Sequence, residues 1–128
     1  MTFLAEPSKI LIIDDPSVLR SHIVAYLEDN GFTVYKATDG EEGMLVFELE
    51  QPDLVLTELA LSKMHGLEVL NAIKTDSPKT PIIVLSGASD IQGAMEALRC
   101  GAWDYITKPI PNLTILEHII CKSLERSR

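Results

Sequence analysis

Residues 52–70 read PDLVLTELALSKMHGLEVL. The run from Asp53 to Glu58, DLVLTE, is short and apolar, with no polar alternation until it ends on a carboxylate. A run of that length and pattern reads as a strand covered on both faces. After a loop, Gly66 opens a second pattern in which Leu67, Leu70 and Ile73 recur at helical spacing. The stretch is therefore a strand, a loop and a helix, with Glu58 placed where the strand runs out.

The same unit repeats on either side. KILII (9–13) and PIIVLS (81–86) are apolar runs like DLVLTE, whereas FTVYKA (32–37) and WDYITK (103–108) mix polar and apolar residues as edge strands do. Helical patterns separate them. Residues 16–31 carry Leu19, Ile23 and Leu27 and stop at Gly31; residues 39–50 open with Asp39 and Glu42 at capping-box spacing. Residues 90–101 carry Ile91, Met95 and Leu98, and residues 112–125 carry Leu113, Leu116, Ile120 and Leu124. Such apolar stripes are expected to face the core.

Five strands alternating with five helices predict an α/β fold with a parallel sheet covered on both faces. Three apolar strands at the centre and two mixed strands at the edges fit the flavodoxin-like (βα)5 order 2-1-3-4-5. The chain has 128 residues, 46% of them hydrophobic, enough for one core and too few for two. Its formal net charge of -8 argues against a nucleic-acid or anionic-membrane surface, which needs clustered lysine and arginine. Cys100 and Cys121 have neither metal spacing nor partners for a disulfide framework, and are expected as buried, reduced thiols. With no signal peptide and no apolar run of membrane-spanning length, the expected compartment is the cytoplasm.

In such sheets the functional crevice lies beyond the carboxyl ends of the strands. The first strand hands over Asp14 and Asp15, the third Glu58, the fourth Ser86, and the fifth Lys108. Three clustered carboxylates repel one another and call for a cation between them. All-oxygen ligation favours a hard ion such as Mg²⁺. A lysine and a hydroxyl across the pocket are what a phosphoryl group would use, and an acidic nucleophile can form an acyl phosphate. Each residue also has a plainer reading: Asp14–Asp15 as a helix cap, Ser86 as a turn residue, Lys108 as a solvated loop lysine, and Glu58–Lys108 as a structural ion pair. A flavin or nucleotide carrier on this fold is poorly supported, because DDPSVLR places acids where a glycine-rich phosphate loop would be.

Taken together, LIIDDPSVLR, PDLVLTELALSKMHGLEVL, PIIVLSGAS and GAWDYITKPI resemble the receiver domain of two-component response regulators over about residues 9–122. The resemblance implies that Glu58 holds the phospho-acceptor position, that Ser86 and Lys108 contact the phosphoryl group, and that Tyr105 is a switch aromatic alongside Ser86. It implies Mg²⁺ held by Asp15, Glu58 and the carbonyl of Ala60, with Asp14 acting through water. The implied partners are a sensor histidine kinase or phosphotransfer protein, and an output domain or target protein on the face formed by residues 90–122. Direct nucleic-acid or membrane contact is not expected. The domain would be a signalling module and not an enzyme, beyond Mg²⁺-dependent self-phosphorylation from a phosphodonor. By the same likeness residues 1–8 are a flexible N-terminus, and residues 123–128 end the last helix and begin a linker to an output domain. ALRCGAWDYITKPIPNLTILEHII further resembles the receivers of RssB-type adaptors, which present a sigma factor to a protease.

Departures from the family pattern are specific. The acceptor is ordinarily aspartate, and Glu58 is one methylene longer. Ser62 stands in place of a proline, and His65, read as a surface residue, in place of aspartate or asparagine. Ala60 and Ala88 occupy positions that tune phosphoryl lifetime in the family. A glutamate carries one negative charge, against about -1.5 to -2 for a phosphate, so the expectation is partial mimicry of the phosphorylated state with poor phosphoryl acceptance and a weakened Mg²⁺ site. The alternative is a conventional phospho-switch still phosphorylated by a histidine kinase at the acidic site.

Overall fold

A computed structural model describes residues 6–127; the expectation for residues 1–5 and for residue 128 lies outside the described residues. The chain alternates strictly: β1 (Lys9–Ile13), α1 (Val18–Asp29), β2 (Thr33–Ala37), α2 (Gly40–Glu50), β3 (Leu54–Glu58), α3 (Gly66–Asp76), β4 (Ile82–Gly87), α4 (Ile91–Arg99), β5 (Asp104–Lys108) and α5 (Leu113–Ser127). The five strands form one sheet in the order β2-β1-β3-β4-β5, and every pairing is parallel. The apolar runs are central and the mixed runs are edges, as their composition predicts.

The central strands are apolar throughout because they supply two cores. Successive side chains of a strand point to opposite faces. Leu11, Ile13, Val55, Ile82 and Val84 pack on one side with Phe47 of α2, Leu70 and Ile73 of α3, and Ala97 of α4. Ile10, Ile12, Leu54, Leu56, Ile83 and Leu85 pack on the other with Ile23 and Leu27 of α1 and Leu116, Ile120 and Leu124 of α5. Residues 123–127 belong to α5, and Ser123 and Leu124 are buried.

Helix ends follow the local chemistry. Ser17 caps α1 by accepting from the Arg20 N–H, and Gly31 takes φ +93° just beyond its end. Asp39 caps α2 by accepting from the Glu42 N–H; the Glu42 carboxylate takes the Thr38 N–H, one residue before the cap. Asp90 caps α4 through Gly93.

Two expectations are corrected. The stripe of Ile91, Met95 and Leu98 does not enter the core: these side chains are 55%, 48% and 38% exposed, and Ala94 and Ala97 form the buried face of α4. The small inner residues let the helix backbone lie close to the sheet, and the larger residues are turned outward. The cysteines are free thiols as expected, but Cys100 is half-buried and Cys121 exposed. Cys121 lies one step around α5 from Ile120, off the face that packs on the sheet.

Candidate functional site at the carboxyl ends of the strands

The strand order reverses at β1, which has β2 on one side and β3 on the other. The crevice therefore opens where β1 and β3 end, and Asp14 and Glu58 are the residues there. Asp14 is buried and its backbone is fixed. Its N–H donates to the Ala37 carbonyl at 3.0 Å, and its carbonyl accepts from the Arg20 guanidinium at 2.9 Å. Asp15 is exposed, and its N–H donates to Asp14 Oδ1 at 2.9 Å. Thr57, buried behind the site, donates through Oγ1 to the Glu58 carbonyl at 3.0 Å.

The loop after β3 folds back on the end of that strand. The Gly66 N–H donates to the Leu59 carbonyl at 2.9 Å. A Cβ at Gly66 would fall against the Glu58 carbonyl oxygen and 2.7 Å from Leu59 Cα, so α3 can start here only on glycine. His65 is exposed as expected, yet it also caps α3, its Nδ1 accepting from the Leu67 N–H at 3.1 Å. An imidazole thus replaces the short polar side chain that ordinarily does this.

Lys108 organises the pocket. Its Nζ lies 2.6 Å from Asp14 Oδ2 and 3.5 Å from Glu58 Oε2. The first contact is a charge-assisted hydrogen bond; the second is electrostatic, since Glu58 Oε2 is buried without a hydrogen-bond partner. Ser86 Oγ is likewise buried and unpartnered. Burial pushes the Glu58 carboxyl above its ordinary range, and the Asp14 and Asp90 charges push the same way against the pull of Lys108.

Of the residues singled out in the sequence, the structure brings together Asp14, Glu58 and Lys108 through direct contacts, and places Ser86 at the end of the adjoining strand. Asp15, Ala60 and Ala88 are exposed at the rim. Tyr105 is half-buried against the core cluster that also contains Ala97 and Ala102. Two contributors were missed. Arg20, six residues after Asp14, holds the backbone of the acidic turn. Asp90, three residues before Gly93, caps α4 and adds negative charge near Glu58. Each carried a spacing signal in the sequence, DDPSVLR and DIQG.

The donor set implied for Mg²⁺, namely Asp14, Asp15, Glu58 and the Ala60 carbonyl, has the all-oxygen chemistry of a hard-cation site. Among the described residues no three His, Cys, Asp or Glu side chains gather closely enough to hold a metal. Asp14 is engaged by Lys108, whose ammonium supplies the positive charge between the two carboxylates.

Comparison with known proteins agrees with this geometry. The family model of the response regulator receiver domain matches residues 10–120. The chain belongs to that family and is a receiver domain of the two-component type. It is 31% identical over 118 residues to the regulatory protein AtoC of Escherichia coli, covering 92% of this chain and 25% of AtoC. It is 39% identical over 101 residues to the cell cycle response regulator CtrA of Brucella ovis, covering 79% of this chain and 44% of CtrA. The chain thus spans less than half the length of these relatives.

Among solved structures, a response regulator receiver domain protein from Clostridium thermocellum is 32% identical with a TM-score of 0.87, covering 93% of this chain and 95% of that one. The receiver domain of NtrX from Brucella abortus is 30% identical with a TM-score of 0.85, covering 91% and 98%. Among the described residues no helix is long and apolar enough to cross a membrane.

Proposed function

We propose that this chain is a receiver whose switch is biased by Glu58 in place of a phosphorylated aspartate, and that it works as a protein-binding module. One observation carries this reading: Lys108 spans Asp14 at 2.6 Å and Glu58 at 3.5 Å. The longer side chain extends its charge toward the lysine that a phosphoryl group would otherwise engage. One negative charge replaces about two, so the mimicry is partial. A nucleophile displaced by a methylene loses in-line alignment with a phosphodonor, so acceptance is poor. Lys108 also weakens the site for Mg²⁺ by occupying the acidic pair with its own charge.

The output surface in this reading is the face of α4, β5 and α5. The outward apolar side chains Ile91, Met95 and Ile115 support it, because they leave apolar surface for a protein partner. The target is a protein, of which a sigma factor of the kind handled by RssB-type adaptors is one class; the kinase or phosphotransfer protein is the input partner. The backbone amides of α4 and β5 test the mimicry. Their NMR positions in the parent should fall between those of Glu58→Asp without and with acetyl phosphate and Mg²⁺. Coincidence with the unmodified variant would refute it.

A second reading is a conventional phospho-switch. The buried, unpartnered Ser86 Oγ, on the strand next to that of Lys108, supports it, since it retains the hydrogen-bonding capacity that phosphoryl oxygens would use.

A further inference from the structure

The outer face of α2 is not used by the site or by the proposed output surface. Leu45 and Leu49, one helical turn apart, are 63% and 80% exposed. Glu41 and Glu48 lie on the same face at helical spacing, and α2 contains no lysine or arginine. No cation lies within 4 Å of the Glu41, Glu42, Glu48 or Glu50 carboxylates among the described residues, whose ion pairs involve Asp14, Asp39, Glu58 and Glu96. The helix lies over β1 beside β2, the edge strand, whose outer side pairs with no other strand among the described residues.

This face is rigid. A Cβ on Gly43 would lie 2.5 Å from Ile13 Cδ1, so the helix is seated directly on β1, and Phe47 anchors it in the core. Its first turn meets the loop that follows Glu58. A Cβ on Gly40 would strike the Met64 carbonyl oxygen, the Gly40 N–H points to the Ser62 carbonyl at 3.5 Å, and Lys63 lies 3.8 Å from Asp39.

We propose that the outer face of α2 docks an amphipathic helix of a partner protein, one that carries lysine or arginine around an apolar stripe. Charge chooses this occupant. Two leucines framed by unpaired glutamates complement a basic helix, and the same glutamates would oppose one another in a self-paired dimer through this face. Because α2 abuts the 59–65 loop, such a partner is positioned to respond to the state of the acidic pocket without touching it. The surface is separate from the α4–β5–α5 face, so it stands whether or not Glu58 mimics a phosphoryl group.

The test uses a synthetic helical peptide with leucines at i, i+4 and i+7 bordered by lysines, titrated into ¹⁵N-labelled protein. The expected shifts cluster on α2 and β2. Leu45→Gln with Leu49→Gln should weaken binding by about tenfold, as the loss of two apolar contacts implies. Glu41→Gln with Glu48→Gln should weaken binding and flatten its salt dependence. These positions are exposed, so the variants should fold, which their spectra report directly. Shifts centred on the acidic rim or on α4 and α5, unchanged affinity in the leucine variant, equal binding of a peptide with glutamate in place of lysine, or concentration-dependent self-association through Leu45 and Leu49 would each overturn the proposal.

Discussion

The Lys108 ammonium lies 2.6 Å from the Asp14 carboxylate, and both side chains are largely withdrawn from water. Asp14 follows β1, an inner strand, and Lys108 ends β5 at the sheet edge, so this contact closes the crevice across the intervening strands β3 and β4. Glu58, 3.5 Å from the same ammonium, shares a single positive charge with Asp14. The state of the pocket is set by how that charge is divided.

Removing the lysine should therefore cost stability. In Lys108→Met two carboxylates remain near each other without a counter-charge. Breaking a buried ion pair from one side typically costs about 3–5 kcal/mol, and partial exposure of Lys108 lowers the expectation to about 2–3 kcal/mol. Urea unfolding at neutral pH measures it, and a cost below about 1 kcal/mol would mean that the pair is solvent-screened.

Glu58 should show its burial as a pH dependence. Its folded-state pKa is raised above the ordinary glutamate value of 4.5. The folded state thus holds the proton more tightly than the unfolded chain, and the favourable contribution is complete below 4.5. It is lost as pH rises through the raised folded value. Glu58→Gln removes this loss, so its stability relative to the parent should grow as pH increases from about 4.5 toward neutrality. Urea midpoints of the two proteins across that range test the sign; a constant difference would contradict it.

Ser86 should be tolerant of losing its hydroxyl. A buried donor without a partner costs about 1–3 kcal/mol in desolvation. Ser86→Ala removes that cost and adds no bulk, so thermal unfolding should show the variant as stable as the parent or more stable, by up to about 1 kcal/mol. Clear destabilisation would show that the hydroxyl is hydrogen-bonded in solution.

Gly66 should be intolerant. Gly66→Ala places a methyl group against the Glu58 carbonyl and Leu59 Cα. Overpacking of this kind costs about 1–3 kcal/mol, and the amide resonances of residues 58–61 should move with it. A neutral substitution would show that the loop yields.

The two faces of α4 should respond in opposite ways to substitution. Met95→Gln, on the outward face, should change stability by no more than about 0.5 kcal/mol. Ala97→Leu, on the inward face, should cost about 1–3 kcal/mol by forcing the helix from the sheet. Urea unfolding of both variants distinguishes the observed orientation from its reverse.

This helix also marks where the sequence stopped being informative. Periodicity announces that Ile91, Met95 and Leu98 share a face, but not which way the face turns. Ala94 and Ala97 occupy the inward side because a short side chain permits close approach to the sheet, a tertiary constraint that no local pattern records. The strands were legible for the opposite reason. Leu11 and Ile12 are apolar on adjacent positions because they feed different cores, and only a doubly covered strand demands that. At the site, strand ends located Asp14, Glu58, Ser86 and Lys108. The Glu58–Lys108 ion pair was one of the plain readings; the closer contact of Lys108 with Asp14 was not legible, because the choice of Lys108 between two carboxylates depends on side-chain reach. The capping role of His65 was hidden for a similar reason: imidazole is an uncommon cap, and its residue type points elsewhere.

Whether Glu58 stands in for a phosphorylated aspartate or accepts a phosphoryl group itself is decided by intact mass. The chain is incubated with acetyl phosphate and Mg²⁺, and Glu58→Asp is treated in parallel. Glu58→Asp is expected to gain one phosphoryl group and the parent none. A parent protein that gains the group as readily as the variant would contradict the mimicry, and would make the acidic pocket a working acceptor.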